Sequence, residues 1–185
     1  MFLAAVLAAS FQTPGVMSGV RGERFRPLEP FRSANVLVFT ATDCPVANGY
    51  ALEIQRVCAA YADKGVDCLL VYEDAGIGVE AVFAHESAYQ YGAMPAAIDR
   101  DGSLAARVGA TVTPEVAVVD TSGAVRYRGR IDDKYVAIGR QRRNVTAHDL
   151  TDALDAVLAG HPVTVKDTQA IGCAIVSPEM RRKKS

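Results

Sequence analysis

A buried-strand pattern that leads directly into a cysteine–proline turn and a helix is the feature that most constrains this fold. Residues 35–40 read NVLVFT, an apolar and β-branched run typical of a central strand. The following turn carries Cys44 and Pro45, and apolar residues then recur at helical spacing over residues 46–62. Residues 66–72 (VDCLLVY) predict a second buried strand. A helix that joins two such strands implies parallel pairing in an α/β sheet.

The remainder of the chain continues the alternation of strands and helices. The predicted elements are a helix over about residues 79–91, a short strand at 96–98, a hairpin of strands 116–119 and 125–128, and a helix over about 147–158. The hairpin turn is rich in Asp, Ser and Gly, which favours antiparallel pairing of its two strands. We therefore predict an α/β fold with a central mixed β-sheet flanked by helices.

The length and charge indicate one globular domain with short extensions. The chain has 185 residues and a net charge of -1, with charged residues of both signs. This composition lacks the basic surface of polyanion-binding proteins, so we expect no nucleic-acid partner. The predicted parts are an N-terminal leader at residues 1–20, a domain at 21–160 and a flexible C-terminal tail at 161–185. The basic run at 181–184 within this tail is expected to be solvated.

The apolar N-terminus bears on cellular location. Residues 2–9 (FLAAVLAA) are far shorter than a membrane helix, so no transmembrane segment is expected. They have the length of a signal-peptide core, and small residues follow at the position of a cleavage site. Export is therefore favoured over a cytoplasmic location. A terminal helix or strand that packs against the domain is the alternative interpretation.

The cysteines and histidines show no local metal or dithiol motif. They are Cys44, Cys58, Cys68 and Cys173, and His85, His148 and His161. No CxxC pair and no HExxH spacing is present, and four scattered cysteines are too few for a disulfide scaffold. Cys58 and Cys68 are expected to be small core residues, and His85 is expected on a helix surface. We predict no metal and no cofactor.

The order of elements resembles the thioredoxin superfamily over about residues 31–160. Residues 39–47 (FTATDCPVA) resemble its active-site run, in which an aromatic strand end leads to WCxxC. This resemblance places Cys44 at the attacking cysteine, Ala47 at the resolving cysteine and Asp43 at the tryptophan. Residues 112–114 (VTP) resemble the family's cis-proline segment, with Pro114 as the cis-proline.

A more specific resemblance is to bacterial redoxin-domain proteins of the alkyl hydroperoxide reductase and thiol-specific antioxidant branch. Proteins of this group with an extended C-terminus carry TDCPVAN-like, RGRIDD-like and GCxI segments. Here these segments are residues 42–48, 128–133 and 172–175. The charges at 128–133 are expected to form a solvated face.

The predicted turn has the chemistry of a reactive thiol. A helix N-terminus stabilises a thiolate, so the pKa of Cys44 is expected to be lowered, although the Asp43 carboxylate would oppose this. A cis-Pro114 would expose the backbone beside it for pairing with an extended substrate. The substrate groove would then be formed by Thr42, Asp43, Pro45 and Thr113.

The first functional hypothesis is a thiol-disulfide oxidoreductase that acts on protein or small-molecule thiols and disulfides. Because Ala47 cannot resolve a mixed disulfide, Cys173 is the internal candidate. The dozen or so residues after Gly160 can extend up to roughly 40 Å, which is enough to return to Cys44. Alternatively, Cys173 is a bystander or pairs with another chain.

The second hypothesis is a peroxidase of the peroxiredoxin type. Its motif resembles PxxxTxxC, and Leu37 and Ala41 stand here at the Pro and Thr positions, which disfavours peroxide reduction. The remaining candidates to polarise a peroxide are Thr40, Thr42, Arg128 and Arg130.

The third hypothesis is a non-catalytic binding or copper-delivery module on the same fold. Its soft ligands for Cu(I) would be Cys44, Cys173 and His85. Copper-carrying relatives have two close cysteines in the active-site loop, whereas this sequence has one.

Overall fold

The computed structural model describes residues 17–28, 33–92 and 94–176. The predicted signal-peptide core at residues 2–9 and the basic run at 181–184 lie outside the described residues. In chain order, the elements are β1 (Met17–Ser18), β2 (Arg24–Phe25), β3 (Ala34–Thr40), α1 (Pro45–Gly49), α2 (Ala51–Ala62), β4 (Val66–Tyr72), α3 (Val79–Ala88), β5 (Ala96–Ile98), α4 (Ser103–Val108), β6 (Val112–Thr113), β7 (Glu115–Asp120), β8 (Val125–Gly129), β9 (Tyr135–Ala137), β10 (Arg140–Gln141), α5 (Asp149–Leu158) and β11 (Cys173–Ala174).

Five of these strands form the central sheet, in the order β5-β4-β3-β7-β8. Strands β3, β4 and β5 are parallel, and β7 and β8 continue the sheet as an antiparallel hairpin. The predicted mixed α/β sheet is therefore confirmed. No helix within the described residues is both long and apolar enough to cross a bilayer.

Strand β3 is central because both of its faces are buried. Val36 and Val38 contribute to the hydrophobic cluster that includes Ile54 of α2. Leu37 and Phe39 point to the opposite cluster, which contains the apolar side of α4. Since successive side chains of a strand alternate between faces, a continuous apolar run is what a doubly covered strand requires. This burial fixes the end of β3, where the Cys–Pro turn begins.

An N-terminal hairpin, β1–β2, extends the domain toward the start of the chain. Met17 pairs with Phe25, and the backbone N–H of Val20 donates to the carbonyl of Ala96 in β5 at 2.9 Å. The folded domain therefore begins before residue 21, the boundary expected from the sequence.

The C-terminal segment differs from the flexible tail that the sequence predicted. After α5, Val163 is buried, residues 166–168 run beside β8, and β11 pairs with β6. Up to residue 176, the segment is part of the folded domain. The sequence pattern missed it because its contacts are made to distant elements and need no periodic apolar pattern.

Candidate active site

Cys44 lies where β3 turns into the first helix. It is the N-cap residue of α1, Pro45 is at the first helical position, and the backbone N–H of Asn48 donates to the Cys44 carbonyl at 2.9 Å. Proline suits this position because it lacks the N–H that would be unpaired there and has a backbone angle suited to a helix. The Cys44 side chain points inward, and the residue is 0% exposed.

The Thr113–Pro114 segment faces the sulfur of Cys44. The peptide bond between these residues is cis, and Cys44 Sγ donates a hydrogen bond to the Thr113 carbonyl oxygen at 2.8 Å. Thr113 is also buried. The two sequence motifs, which are far apart in the chain, therefore meet at one site.

Strand β11 covers the backbone edge next to the cis-proline. Cys173 is opposite Thr113 in an antiparallel pair, and the backbone N–H of Ile175 donates to the Thr111 carbonyl at 2.8 Å. The Thr113 hydroxyl also donates to the Cys173 carbonyl at 3.5 Å. The edge expected to receive an extended substrate is thus occupied by the chain's own C-terminal segment.

Strand β8 guides that segment to the site. The backbone N–H of Arg128 donates to the Lys166 carbonyl at 2.9 Å, and the backbone N–H of Thr168 donates to the Arg128 carbonyl at 3.1 Å. The Arg128 guanidinium forms a salt bridge of 2.7 Å with Asp167. At Gly129, a Cβ would lie 2.2 Å from Thr168 Oγ1, so glycine permits the close approach of the two segments. Contacts along the RGRIDD stretch therefore help hold the C-terminal segment in place.

The two free thiols, Cys44 and Cys173, differ in acidity. Burial disfavours the Cys44 thiolate, but hydrogen bonds from Cys173, Thr113 and the backbone of Ala47 outweigh burial and lower the pKa of Cys44. Burial, the hydrogen bond with Cys44 and its negative charge raise the pKa of Cys173 to about 12. Cys44 is thus the more acidic thiol of the pair, and Cys173 is the less acidic one.

The charge of Asp43 acts on the sulfur of Cys173. Asp43 is exposed, and its carboxylate contributes to the raised pKa of Cys173. The lowered pKa of Cys44 agrees with its position at the helix start. Asp43 therefore reinforces the difference in acidity between the two thiols.

The other predicted groove residues shape the turn around Cys44. The backbone N–H and hydroxyl of Thr42 donate to the Asp74 carboxylate at 3.1 and 3.3 Å. Pro45 is exposed at the start of α1. Thr42 thus anchors the turn through Asp74.

A buried histidine network supports the same turn. Asn48 donates through Nδ2 to the Thr42 carbonyl at 3.1 Å, so its Oδ1 accepts from Nε2 of His85 at 2.8 Å. Nδ1 of His85 then accepts from the Tyr72 hydroxyl at 2.9 Å. His85 is 6% exposed, which corrects the expectation that it lies on a helix surface. Burial lowers the pKa of His85, consistent with a neutral ring.

Cys58 and Cys68 form a disulfide that joins α2 to β4, with a Cα–Cα distance of 6.0 Å. This corrects the expectation that they are isolated core residues. Cys68 pairs across the sheet with Val36, several residues before the end of β3 that leads to Cys44. The sequence placed one cysteine in a helix and the other in a strand but gave no signal that these elements bring them together.

The arginines proposed to polarise a peroxide are paired with acids. Arg128 is bridged to Asp167, and Arg130 Nε donates to Asp149 at 2.7 Å. Asp132 and Asp133 are buried, which corrects the expected solvated face. Burial of Asp133 is accompanied by hydrogen bonds from the backbone N–H and hydroxyl of Thr146, at 2.8 and 2.6 Å.

The proposed copper ligands are not brought together as a set. Both ring nitrogens of His85 are engaged by Tyr72 and Asn48. Among residues 17–28, 33–92 and 94–176, no group of three or more His, Cys, Asp or Glu side chains is arranged to hold a metal ion. The structure therefore groups Cys173, but not His85, with Cys44.

The fold and the paired thiols beside a cis-proline define a thioredoxin-like redox protein. The Redoxin family model matches residues 17–140, and the chain belongs to the Redoxin family. A comparison with curated proteins finds no significant match.

Solved structures show the same architecture. A hypothetical protein from Sinorhizobium meliloti is 27% identical, with 87% of this chain and 89% of that chain covered and a TM-score of 0.71. An uncharacterized conserved protein from Geobacillus kaustophilus is 25% identical, with 86% of each chain covered and a TM-score of 0.71. The protein MTB dsbF, solved in mixed oxidized and reduced forms, is 25% identical, with 79% and 96% covered and a TM-score of 0.56.

More distant structural neighbours include thiol-disulfide oxidoreductases. A secreted disulfide oxidoreductase from Mycobacterium tuberculosis and a thiol-disulfide oxidoreductase from Bacteroides fragilis are each 21% identical to this chain. At that identity, they show the fold alone.

Proposed function

We propose that this protein is a thiol-disulfide oxidoreductase whose redox pair is Cys44 and Cys173. The observation that carries the proposal is the pairing of Cys173 with Thr113, which brings a second thiol to Cys44. Disulfide exchange requires a thiolate and a second sulfur within reach. The site provides both, because the pKa of Cys44 is lowered and Cys173 is its hydrogen-bond partner.

Strand β11 supplies the second cysteine. In a CxxC motif, that cysteine lies in the same turn of helix as the first. Ala47 stands at the position of the resolving cysteine and is buried without a reactive group. Cys173 reaches the same sulfur from strand β11, which pairs with β6. Exchange with a partner passes through a mixed disulfide, and the end states are the Cys44–Cys173 dithiol and its disulfide, which differ by two electrons.

The substrate class is a protein or small molecule that carries a thiol or a disulfide. An external dithiol or disulfide supplies or removes the two electrons. The match to the Redoxin family supports this class of reaction.

An extracytoplasmic location fits this chemistry. The Cys58–Cys68 disulfide is of a kind that persists in oxidising compartments and is rare in the reducing cytosol. The apolar N-terminal segment supports the same location.

Peptide mapping under non-reducing conditions tests the redox pair. The protein is reduced, reoxidised with oxidised glutathione and digested after free thiols are blocked. We expect a peptide linked through Cys44 and Cys173. If Cys44 is found only with glutathione, Cys173 is removed from the mechanism. The C58A/C68A variant is the matched control, since it retains only the proposed redox pair.

A second experiment, with hydrogen peroxide, distinguishes thiol-disulfide exchange from peroxidase activity. Reduced protein is exposed to micromolar hydrogen peroxide, and sulfenic acid at Cys44 is trapped and quantified over time. Conversion of Cys44 within seconds would favour the peroxidase and contradict the oxidoreductase. Catalysed formation of a disulfide in a dithiol peptide by the oxidised protein is the positive readout.

A further inference from the structure

We propose that a partner forms its mixed disulfide with Cys173 and that Cys44 is the buried leaving thiolate. This assignment rests on the proposed function, because it concerns the Cys44–Cys173 disulfide. It reverses the roles that the family resemblance implies, in which the cysteine at the position of Cys44 makes the bond to the partner.

Access to the two sulfurs differs. Cys44 is 0% exposed, and its sulfur lies against the Thr113 carbonyl under the covering strand β11. Cys173 is partly exposed, and its sulfur is the less buried of the two. A partner thiolate that approaches along the S–S axis therefore reaches Cys173 Sγ more readily than Cys44 Sγ.

A partner cannot reach Cys44 by pairing with the backbone beside the cis-proline while β11 is paired with β6. A Cβ at Gly172 would lie 2.0 Å from the Thr113 carbonyl oxygen, so the two backbones are already at their closest approach. The antiparallel pairs of Cys173 with Thr113 and Ala174 with Val112 occupy this edge. To bond directly to Cys44, a partner would first have to remove β11.

The stability of the two leaving groups favours the same direction. Disulfide exchange is faster when the departing thiol has the lower pKa. Attack on Cys173 releases Cys44, whose thiolate receives hydrogen bonds from Thr113 and the backbone of Ala47. Attack on Cys44 would release Cys173 as a thiolate, beside the negative charge of Asp43.

The oxidation of a partner dithiol by the Cys44–Cys173 disulfide takes two exchange steps, in which atoms and electrons balance. A partner thiolate attacks Cys173 Sγ, the new S–S bond forms, and the electron pair of the broken bond goes to Cys44 Sγ. The proton of the partner thiol has gone to solvent. A second partner thiolate then attacks the partner's own sulfur in the mixed disulfide, and Cys173 leaves and takes up a proton. The partner's two thiols are oxidised to a disulfide, and the protein disulfide is reduced to the dithiol.

Mapping the first adduct tests the proposal. Oxidised full-length protein that contains the Cys44–Cys173 disulfide is mixed with excess reduced glutathione, quenched with acid at short times and treated with N-ethylmaleimide. We expect glutathione on Cys173 and maleimide on Cys44, in excess of the opposite pattern by about tenfold or more. Glutathione mainly on Cys44, or equally on both cysteines, would overturn the proposal.

The controls separate this proposal from the one on which it rests. If no Cys44–Cys173 disulfide can be prepared, the proposed function fails and this assignment fails with it. If the disulfide is present and glutathione is found on Cys44, only the assignment fails. The C58A/C68A variant is mapped in parallel and should give the same pattern, because the second disulfide lies outside the site.

Discussion

Gly172 lies directly against the carbonyl of Thr113, and any side chain at residue 172 would collide with the backbone of the cis-proline segment. A Cβ there would be 2.0 Å from the Thr113 oxygen and 3.1 Å from the Pro114 nitrogen. The contacted atoms are backbone atoms, so they cannot rotate away. The approach of Cys173 to Cys44 therefore depends on a glycine immediately before Cys173.

Substitution G172A is expected to separate β11 from β6. Overpacking of this kind costs roughly 1–3 kcal/mol, so formation of the Cys44–Cys173 disulfide should slow by at least about fivefold. Alkylation of Cys44 in the reduced protein should become faster as its cover is lost. Rates of disulfide formation and iodoacetamide labelling, resolved by residue, measure both effects. The control is G76A, where a Cβ meets nothing within 4 Å. Equal rates in G172A and wild type would show that β11 does not cover Cys44.

The hydrogen bond between the thiols predicts how Cys44 titrates when Cys173 is replaced. In C173A, the pKa of Cys44 should rise, because a hydrogen bond that lowers it is removed. In C173S, a hydroxyl can still donate, so the pKa of Cys44 should remain closer to that of the wild type. Thiolate absorbance as a function of pH measures the difference. Identical titrations of C173A and C173S would contradict the role of this hydrogen bond.

Because His85 is buried, we expect the protein to lose stability at acidic pH. Burial lowers the pKa of His85 from its ordinary value of 6.5, so the unfolded chain takes up a proton before the folded protein does. The stabilisation is present above pH 6.5 and decreases as the pH falls toward the folded-state pKa, by about 1.4 kcal/mol per unit of pKa difference. Urea unfolding at several pH values measures this contribution.

The H85Q variant should lose this part of the pH dependence, because glutamine does not titrate. The matched control is H161Q, which makes the same substitution at an exposed histidine. If wild type and H85Q lose stability in parallel below pH 6.5, another group is responsible.

The Cys58–Cys68 disulfide is expected to stabilise the fold without taking part in exchange. The two cysteines are 10 residues apart, and a cross-link over such a loop contributes about 3 kcal/mol. The C58A/C68A variant should therefore have a lower free energy of unfolding, measured with urea, while its rate of exchange at Cys173 is unchanged. Loss of exchange in a folded C58A/C68A protein would instead indicate that electrons pass through this disulfide.

The elements around Cys44 were predictable because their signals are local. The run at 35–40 alternates between two buried faces, and proline after Cys44 marks the helix start. The hairpin of β7 and β8 was likewise encoded by two apolar runs and a turn. Such patterns report periodicity over a few residues, which is sufficient to identify the strands and helices around Cys44.

The contacts that complete the site were not predictable in this way. Strand β11 has two residues, and its pairing depends on the fit of Gly172 against Thr113 rather than on an apolar pattern. The burial of His85 depends on polar partners from two other elements, Asn48 and Tyr72. Hydrogen bonds between residues that are distant in the chain produce no periodic pattern in the sequence.

The position of Cys173 on a distant strand links redox chemistry to folding. In a CxxC motif, the second sulfur stays near the first even when the chain is unfolded, because only two residues separate them. Here most of the chain lies between Cys44 and Cys173, so their high effective concentration exists only when β6 and β11 are paired. Partial unfolding that releases β11 would leave two ordinary thiols. With Cys44 and Cys173 as the proposed redox pair, the capacity to exchange two electrons would thus be a property of the tertiary structure.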